Sequence, residues 1–261
     1  MSAEAAALVP TLGAPTLAAA LASVRRQSAT VEIAVVYQGS GPVPEAAATF
    51  ADQVLTFPSP LGFAAAVNAG IAAVKAPLLL LLNDDAELLP GWLPALLDAL
   101  DADSRLVAAQ GVDLASVDGA VSGCGLGWNR WWQAVQLGAG GRAPAGVARE
   151  VFGVSAAAAL YRRSALDAAA LPGGSFDGAL ETYYEDVELA ARLRHRGEDL
   201  PIAARSVIDE LGPVGGSGGL VAVGRDGGPV LQFNCSGMYR GYVNPDGIVY
   251  TAIYDEPYRS A

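Results

Sequence analysis

Five consecutive leucines, Leu78–Leu82, run directly into Asn83, Asp84 and Asp85. A stretch this apolar must be covered on both faces, yet it is far too short to cross a bilayer, which takes about 20 residues. It reads as a strand inside a parallel sheet. Parallel neighbours need helical crossovers, and the flanking sequence supplies both. Residues 6–9, 31–36 and 54–57 are further short strands. Pro15 opens a helix through Arg26, as proline suits a first helical turn. Residues 63–74 and 92–100 read as helices. This alternation predicts an α/β fold with a mainly parallel sheet and helices on both faces.

Beyond Gly123 the pattern breaks into a glycine-rich stretch carrying Trp128, Trp131 and Trp132. Order returns at residues 151–160, followed by helices near 163–170 and 184–196. After Gly212, short β-type runs at 220–223, 230–233 and 248–254 alternate with glycine turns and predict an antiparallel β meander. The expected division is a domain over residues 1–205 and a β-rich C-terminal appendage over 206–261.

Composition narrows the function. Hydrophobic residues at 52% and charged residues at 16% suit a buried core and argue against disorder. A net charge of −11 disfavours phosphate backbones and anionic membrane surfaces, so no nucleic acid partner is expected. It leaves room for a nucleotide, because a divalent cation reverses the field locally. Cys124 and Cys235 have no zinc-type spacing and read as reduced thiols. His195 is the one histidine, between two arginines, so a Ser/His/Asp hydrolase would have to be built on it. With no basic region before an apolar stretch at the N-terminus, a cytoplasmic protein without a transmembrane segment is expected, peripheral to a membrane at most.

Two acidic groups could do chemistry. A buried parallel strand delivers Asp84 and Asp85 to its C-terminal end, where such sheets bind ligands. Adjacent carboxylates there repel unless a cation or hydrogen-bond donors compensate. Mg²⁺ meets that need, since it binds through few carboxylates plus substrate phosphates. Helix capping by the same pair is the alternative. The second group is Tyr184-Glu185-Asp186-Val187-Glu188, where acids enter the first turn of a helix. They are either dipole partners or include a general base for an acceptor hydroxyl.

Several segments resemble family 2 glycosyltransferases of the GT-A fold, especially rhamnosyltransferase-like members, over about residues 5–205. They are Leu61-Gly62-Phe63 with Asn68-Ala69-Gly70, then Asn83-Asp84-Asp85 with Pro90-Gly91-Trp92, then Phe176-Asp177, and finally Tyr184 to Leu189 with Arg192-Leu193. The resemblance implies an inverting transfer from a UDP- or dTDP-linked sugar to an acceptor hydroxyl in cell-surface polysaccharide or glycolipid synthesis. It implies that Asp85 holds Mg²⁺ or Mn²⁺ on the donor diphosphate and that Asp84 contacts ribose or sugar. Asp186 would be the base and Glu185 would orient the acceptor. Thr11, Tyr37, Gln38, Ser40, Gly62 and Asn68 would line the nucleotide-sugar site, with Trp128, Trp132 and Tyr184 facing a saccharide or lipid-linked acceptor.

The sequence departs from that pattern in three places. Tyr37-Gln38 stands where an aspartate usually contacts the base. Ile208-Asp209-Glu210 lacks a late histidine, leaving Asp209 as a possible oxygen ligand. The tail, from Gly218 to Val223 and again from Phe233 to Gly241, resembles the C-terminal end of isoaspartyl peptidase/asparaginase-type hydrolases, without the segment that carries their threonine nucleophile. A catalytically weakened nucleotide-sugar-binding or scaffold protein is the competing reading.

Overall fold

The leucine run lies in the interior of a six-stranded sheet. The computed structural model describes residues 4–27, 30–115, 119–131, 133–142, 148–181, 183–195, 200–223, 228–254 and 256–260. They fall into two compact units, Met1–Gly127 with Gln136–Arg194, and Trp128–Val135 with His195–Ala261.

In the first unit the elements follow the order β1 (Ala5–Thr11), α1 (Leu17–Arg25), β2 (Val31–Gln38), α2 (Glu45–Phe50), β3 (Gln53–Phe57), α3 (Phe63–Ala73), β4 (Leu78–Leu82), α4 (Trp92–Ala102) and β5 (Ala108–Gln110). Short strands β6 (Asp113–Leu114), β7 (Val121–Gly123), β8 (Leu126–Trp128) and β9 (Ala134–Gln136) punctuate the glycine-rich stretch. Then come β10 (Ala158–Arg162), α5 (Arg163–Ala168) and α6 (Glu185–Arg194). The main sheet has the order β3-β2-β1-β4-β10-β5. Strands β1 to β4 are parallel, and β10 is antiparallel to both β4 and β5. The architecture is α/β with a mixed, mainly parallel sheet.

Side-chain alternation divides the core. Leu80 and Leu82 join Ala5, Ala7 and Val9 beside α1 and α4. Leu79 and Leu81 join Ala6 and Leu8 on the opposite face, with Val67 and Ile71 of α3 and with Tyr161 and Phe176. Small residues of β1 lie in register with the leucines, Ala5 to Leu78 through Leu8 to Leu81, so bulk on one strand is matched by space on the next. At Gly70 a Cβ would stand 3.3 Å from both Leu8 and Val36, so α3 approaches the sheet more closely than a larger residue would permit. Arg163 closes the end of α3 by donating to the carbonyls of Ile71, Val74 and Ala76.

Several boundaries differ from expectation. The first helix starts at Leu17, with Pro15 in the preceding turn. The block expected at 151–160 becomes a strand only from Ala158, which runs on to Arg162, and Ser155 before it donates its N–H to the Gln110 side chain instead of a ladder partner. The helix expected from Tyr184 begins at Glu185, since Tyr184 has φ 65° and cannot be helical. The proposed end of that helix at Arg196 lies outside the described residues.

The second unit contains α7 (Leu200–Leu211), which sequence reading did not anticipate, β11 (Gly219–Val223), β12 (Pro229–Phe233), β13 (Arg240–Val243), β14 (Val249–Ala252) and β15 (Arg259–Ser260). The expected single meander is two separate antiparallel sheets, β11-β12 and β13-β14-β15. Asn234 joins α7 to the first of these. Its side chain donates to the carbonyls of Ile208 and Gly216 and accepts from the N–H of Gly218. Tyr242 stacks on Tyr250 at 4.9 Å, and Tyr258 meets it edge-on at 5.2 Å.

Candidate active site at the end of the leucine strand

Where β4 ends, the chain turns at once. Asn83 donates its N–H to Ala157 O (2.8 Å), and Ala86 closes a turn onto Asn83 O (3.2 Å). The two aspartates occupy the corner of this turn and point to different fates. Asp84 is half-buried and accepts a hydrogen bond from Thr11 Oγ1 at 2.5 Å. That hydroxyl in turn accepts from the N–H of Gly13 at 2.8 Å, so the loop after β1 and the loop after β4 hold each other. Asp85 is exposed, and its carboxylate makes no hydrogen bond or ion pair to another described residue.

The same edge of the sheet receives the second acidic pair. Because β10 is antiparallel to β4, Ala158 lies opposite Leu82. The segment entering β10 therefore borders the aspartate turn. Ala156 donates its N–H to Asp186 Oδ2 (3.2 Å), while Asp186 Oδ1 accepts from Val187 N (2.8 Å). Asp186 is thus bonded to the residue beside the one that holds Asn83. Burial raises its pKa, although the N–H groups of Ala156 and Val187 pull the other way. Glu185 is 7% exposed, and its Oε2 has no hydrogen-bond partner. Burial, and then the neighbouring Asp186 charge, raise its pKa.

Backbone strain leads into this pair. Glu181, Tyr183 and Tyr184 have φ of 51°, 75° and 65°, a region that non-glycine residues seldom occupy and that recurs near functional sites. Glu181 is anchored through its carbonyl, which accepts from Ala64 N at 3.1 Å. At Gly62, itself at φ 84°, a Cβ would come within 3.2 Å of that carbonyl. Glycine is required there on both counts.

The remaining sequence candidates take varied places. Gln38 is buried, and its Oε1 accepts from Leu61 N (2.7 Å), which ties the end of β2 to the entrance of α3. Tyr37 is also buried, and its ring lies beneath Gly39 and beside Gly13. Ser40 is exposed in the turn after β2. Asn68 exchanges two hydrogen bonds with the backbone of Phe176, at 2.8 and 3.0 Å, and so has a holding role within α3. Tyr184 is 61% exposed. Trp128 belongs to the second unit, and Trp132 lies outside the described residues. Asp209 sits on α7 in the second unit and pairs with Arg205 at 3.0 Å.

Sequence reading missed the 154–157 segment, because it contributes backbone groups that leave no side-chain signature. It also missed Tyr161. This fully buried phenol has its pKa driven upward by burial and then by the charges of Asp186 and Glu185, which places both carboxylates close to it.

A divalent cation would find few protein ligands here. Among the described residues no group of three or more His, Cys, Asp or Glu could hold a metal alone. One free carboxylate, Asp85, beside one engaged carboxylate, Asp84, fits a hard cation that completes its shell with phosphate oxygens. The residues present therefore suit a metal that arrives with its substrate.

Comparison with known proteins bears on the fold and the family. The fold resembles a mannosyltransferase, PcManGT from Pyrobaculum calidifontis, solved with GDP-Man and Mn²⁺, with a TM-score of 0.53 and 16% identity over 76% of this chain and 53% of that one. It also resembles residues 1–349 of TarS from S. aureus, with a TM-score of 0.50 and 16% identity over 74% of this chain and 55% of that one. Those likenesses identify a GT-A-type fold. Two isoaspartyl peptidases share shorter stretches. That of Salmonella typhimurium is 40% identical over 70 residues, and that of Escherichia coli 38% over 85 residues. The chain spans only 22% and 25% of the length of these relatives. No described helix is long and apolar enough to cross a membrane. The family model for Glycosyl transferase family 2 matches residues 7–169, which include β2, β3 and β4, most of β1, and the aspartate turn. The chain belongs to glycosyl transferase family 2.

Proposed function

We propose that this protein is an inverting glycosyltransferase that moves a sugar from a nucleotide-diphosphate donor, UDP- or dTDP-linked, to an acceptor hydroxyl on a saccharide or lipid-linked chain. Residues 1–205 form the transferase domain, and residues 206–261 form an appendage. The observation that carries this reading is the pair of acidic groups assembled at one sheet edge, Asp84-Asp85 after β4 and Asp186 bonded to Ala156 before β10.

The roles follow from the environments. Asp85, without a hydrogen bond or ion pair among the described residues, is the ligand for Mg²⁺ or Mn²⁺. Asp84, fixed by Thr11, presents its second oxygen to ribose or sugar hydroxyls. When bound, the cation neutralises charge on the departing nucleoside diphosphate. Asp186 takes the proton from the acceptor hydroxyl. Its raised pKa brings it nearer the working range of a base, and its two backbone donors keep it aimed. Tyr184 and Ser40, both exposed, offer surface to the acceptor and donor respectively.

The test is release of nucleoside diphosphate from a panel of UDP-, dTDP- and GDP-sugars, with and without Mn²⁺. Cation-dependent turnover of one nucleotide class is expected. Binding of a nucleotide without any turnover would favour a binding or scaffold protein, and binding of none would contradict the donor site.

A further inference from the structure

Residues 154–157 carry no acidic or basic side chain, yet their backbone meets three separate parts of the first unit. Ala157 O accepts from Asn83 N at 2.8 Å. Ala156 donates its N–H to Asp186 Oδ2 at 3.2 Å. Ser155 donates its N–H to Gln110 Oε1 at 2.6 Å. These bonds come from consecutive residues, but different things stand behind them. Ala157 is kept in place by the sheet, because the β4–β10 ladder begins beside it with Ala158 opposite Leu82. Ser155 and Ala156 precede the strand, and β5 pairs with β10 only from Ala159, opposite Gln110. What holds Ser155 is therefore a side chain at the end of β5. That side chain is itself oriented. A backbone N–H can only donate, so the atom facing Ser155 is the amide oxygen, and the amide nitrogen remains as a donor. It donates to Asp113 Oδ2 at 3.3 Å. Ser155 is 6% exposed, so without Gln110 its N–H would have little water to turn to. A buried donor left unpaired is costly, and the segment would move to relieve it.

We propose that Gln110 is a positioning residue for transfer, fixing Ser155 and thereby keeping the Ala156 N–H on the Asp186 carboxylate so that the base stays aimed. Among the described residues its side-chain hydrogen bonds go to Ser155 and Asp113, and to neither aspartate of the turn after β4. Its loss should therefore spare donor binding, which Ala157 and the ladder continue to support, and impair the step that uses Asp186. The proposal rests on Asp186 being the base, but the hold of Gln110 on the segment can be read without any transfer.

The experiment compares three forms of the full chain. They are the wild type, Gln110→Met, which keeps the volume without the acceptor, and the double variant Gln110→Glu/Asp113→Asn. The double variant exchanges the amide and carboxyl groups, so that residue 110 again accepts from Ser155 N while residue 113 donates to it. Backbone hydrogen exchange over residues 154–157 should quicken by about tenfold in Gln110→Met and return towards the wild-type rate in the double variant, with β1 and β4 unchanged. Wild-type exchange in Gln110→Met would overturn the proposal, whether or not the chain transfers sugar. In the transfer assay, kcat should fall by about 10–100-fold in Gln110→Met, nucleotide affinity in Mn²⁺ should stay at the wild-type value, and the double variant should recover most of the loss. An equal loss of nucleotide affinity, or a double variant no faster than Gln110→Met, would mean that Gln110 only supports the fold and would overturn its positioning role. Asp186→Asn is measured beside them. Slow transfer in Asp186→Asn with wild-type transfer in Gln110→Met removes Gln110 alone, whereas wild-type transfer in Asp186→Asn removes the base and this proposal with it. If no donor is turned over, the reading of Asp186 fails while the exchange result still decides whether Gln110 holds the segment.

Discussion

The two compact units are built at different depths. In the first, nine positions of β1 and β4 are wholly shielded, Ala5 to Val9 and Leu79 to Leu82 all at 0% exposure. In the second, buried apolar residues are few, with Ala204, Ile208 and Leu211 on α7 and Ala252 on β14. Strands β11 and β13 alternate half-buried and exposed positions, β12 is half-buried throughout, and Val221 and Val223 are more than 60% exposed. The first unit is held by area removed from water. The second relies on one asparagine clamp and an aromatic group. Positional precision of the kind catalysis needs is therefore available in the first unit, where both acidic groups reside.

The sharpest way to break this contrast is to remove bulk from each unit in turn. Leu80→Ala should cost about 2–5 kcal/mol in urea unfolding, because the fully enclosed site cannot collapse around the lost methyls. Val221→Ala should stay within about 0.5 kcal/mol, as exposed substitutions do. Equal losses would show that the second unit is as tightly built as the first. A smaller effect is expected at the clamp. Asn234→Ala removes bonds to Ile208, Gly216 and Gly218 and should cost about 1–3 kcal/mol. Hydrogen exchange should then quicken in β11 and β12 while β1 and β4 remain protected, and uniform quickening would contradict independent units.

The smallest effect depends on pH. Burial raises the pKa of Asp113 to about 6, against a lowering contribution from the Gln110 amide. A carboxyl whose folded pKa is raised contributes stability that is fully present below its unfolded value and lost as pH rises through about 6. Asp113→Asn should therefore leave unfolding unchanged near pH 4 and stabilise the chain above pH 7, by about 1 kcal/mol or less once solvent screening is included. Thermal unfolding of both proteins across that range checks the sign.

Legibility in the sequence followed the same division. The apolar runs of β1, β2 and β4 announce a buried sheet because burial on both faces leaves no polar alternation, and their order implied the parallel arrangement. The acidic pairs were legible as residue types at strand and helix ends. What joins them was not. Thr11 and Asp84 are 73 residues apart, and Asp186 is held by a backbone N–H of Ala156, a group every non-proline residue has. The helix at Leu200–Leu211 carried a readable signal, with Ala204, Ile208 and Leu211 at helical spacing and Pro201 in its first turn. It escaped because the β-type runs after it drew the whole tail into one reading. The meander split into two sheets because alternation marks a strand but does not say which strand it pairs with.

The central claim is that Asp85 serves donor binding and Asp186 serves transfer from one shared edge of the sheet. Nucleotide affinity by calorimetry in Mn²⁺, measured beside the transfer rate for Asp85→Asn and Asp186→Asn, tests it most directly. Asp85→Asn is expected to lose cation-dependent binding. Asp186→Asn should bind as the wild type does while transfer falls by about 10²–10⁴-fold. Wild-type binding in Asp85→Asn together with wild-type transfer in Asp186→Asn would contradict it.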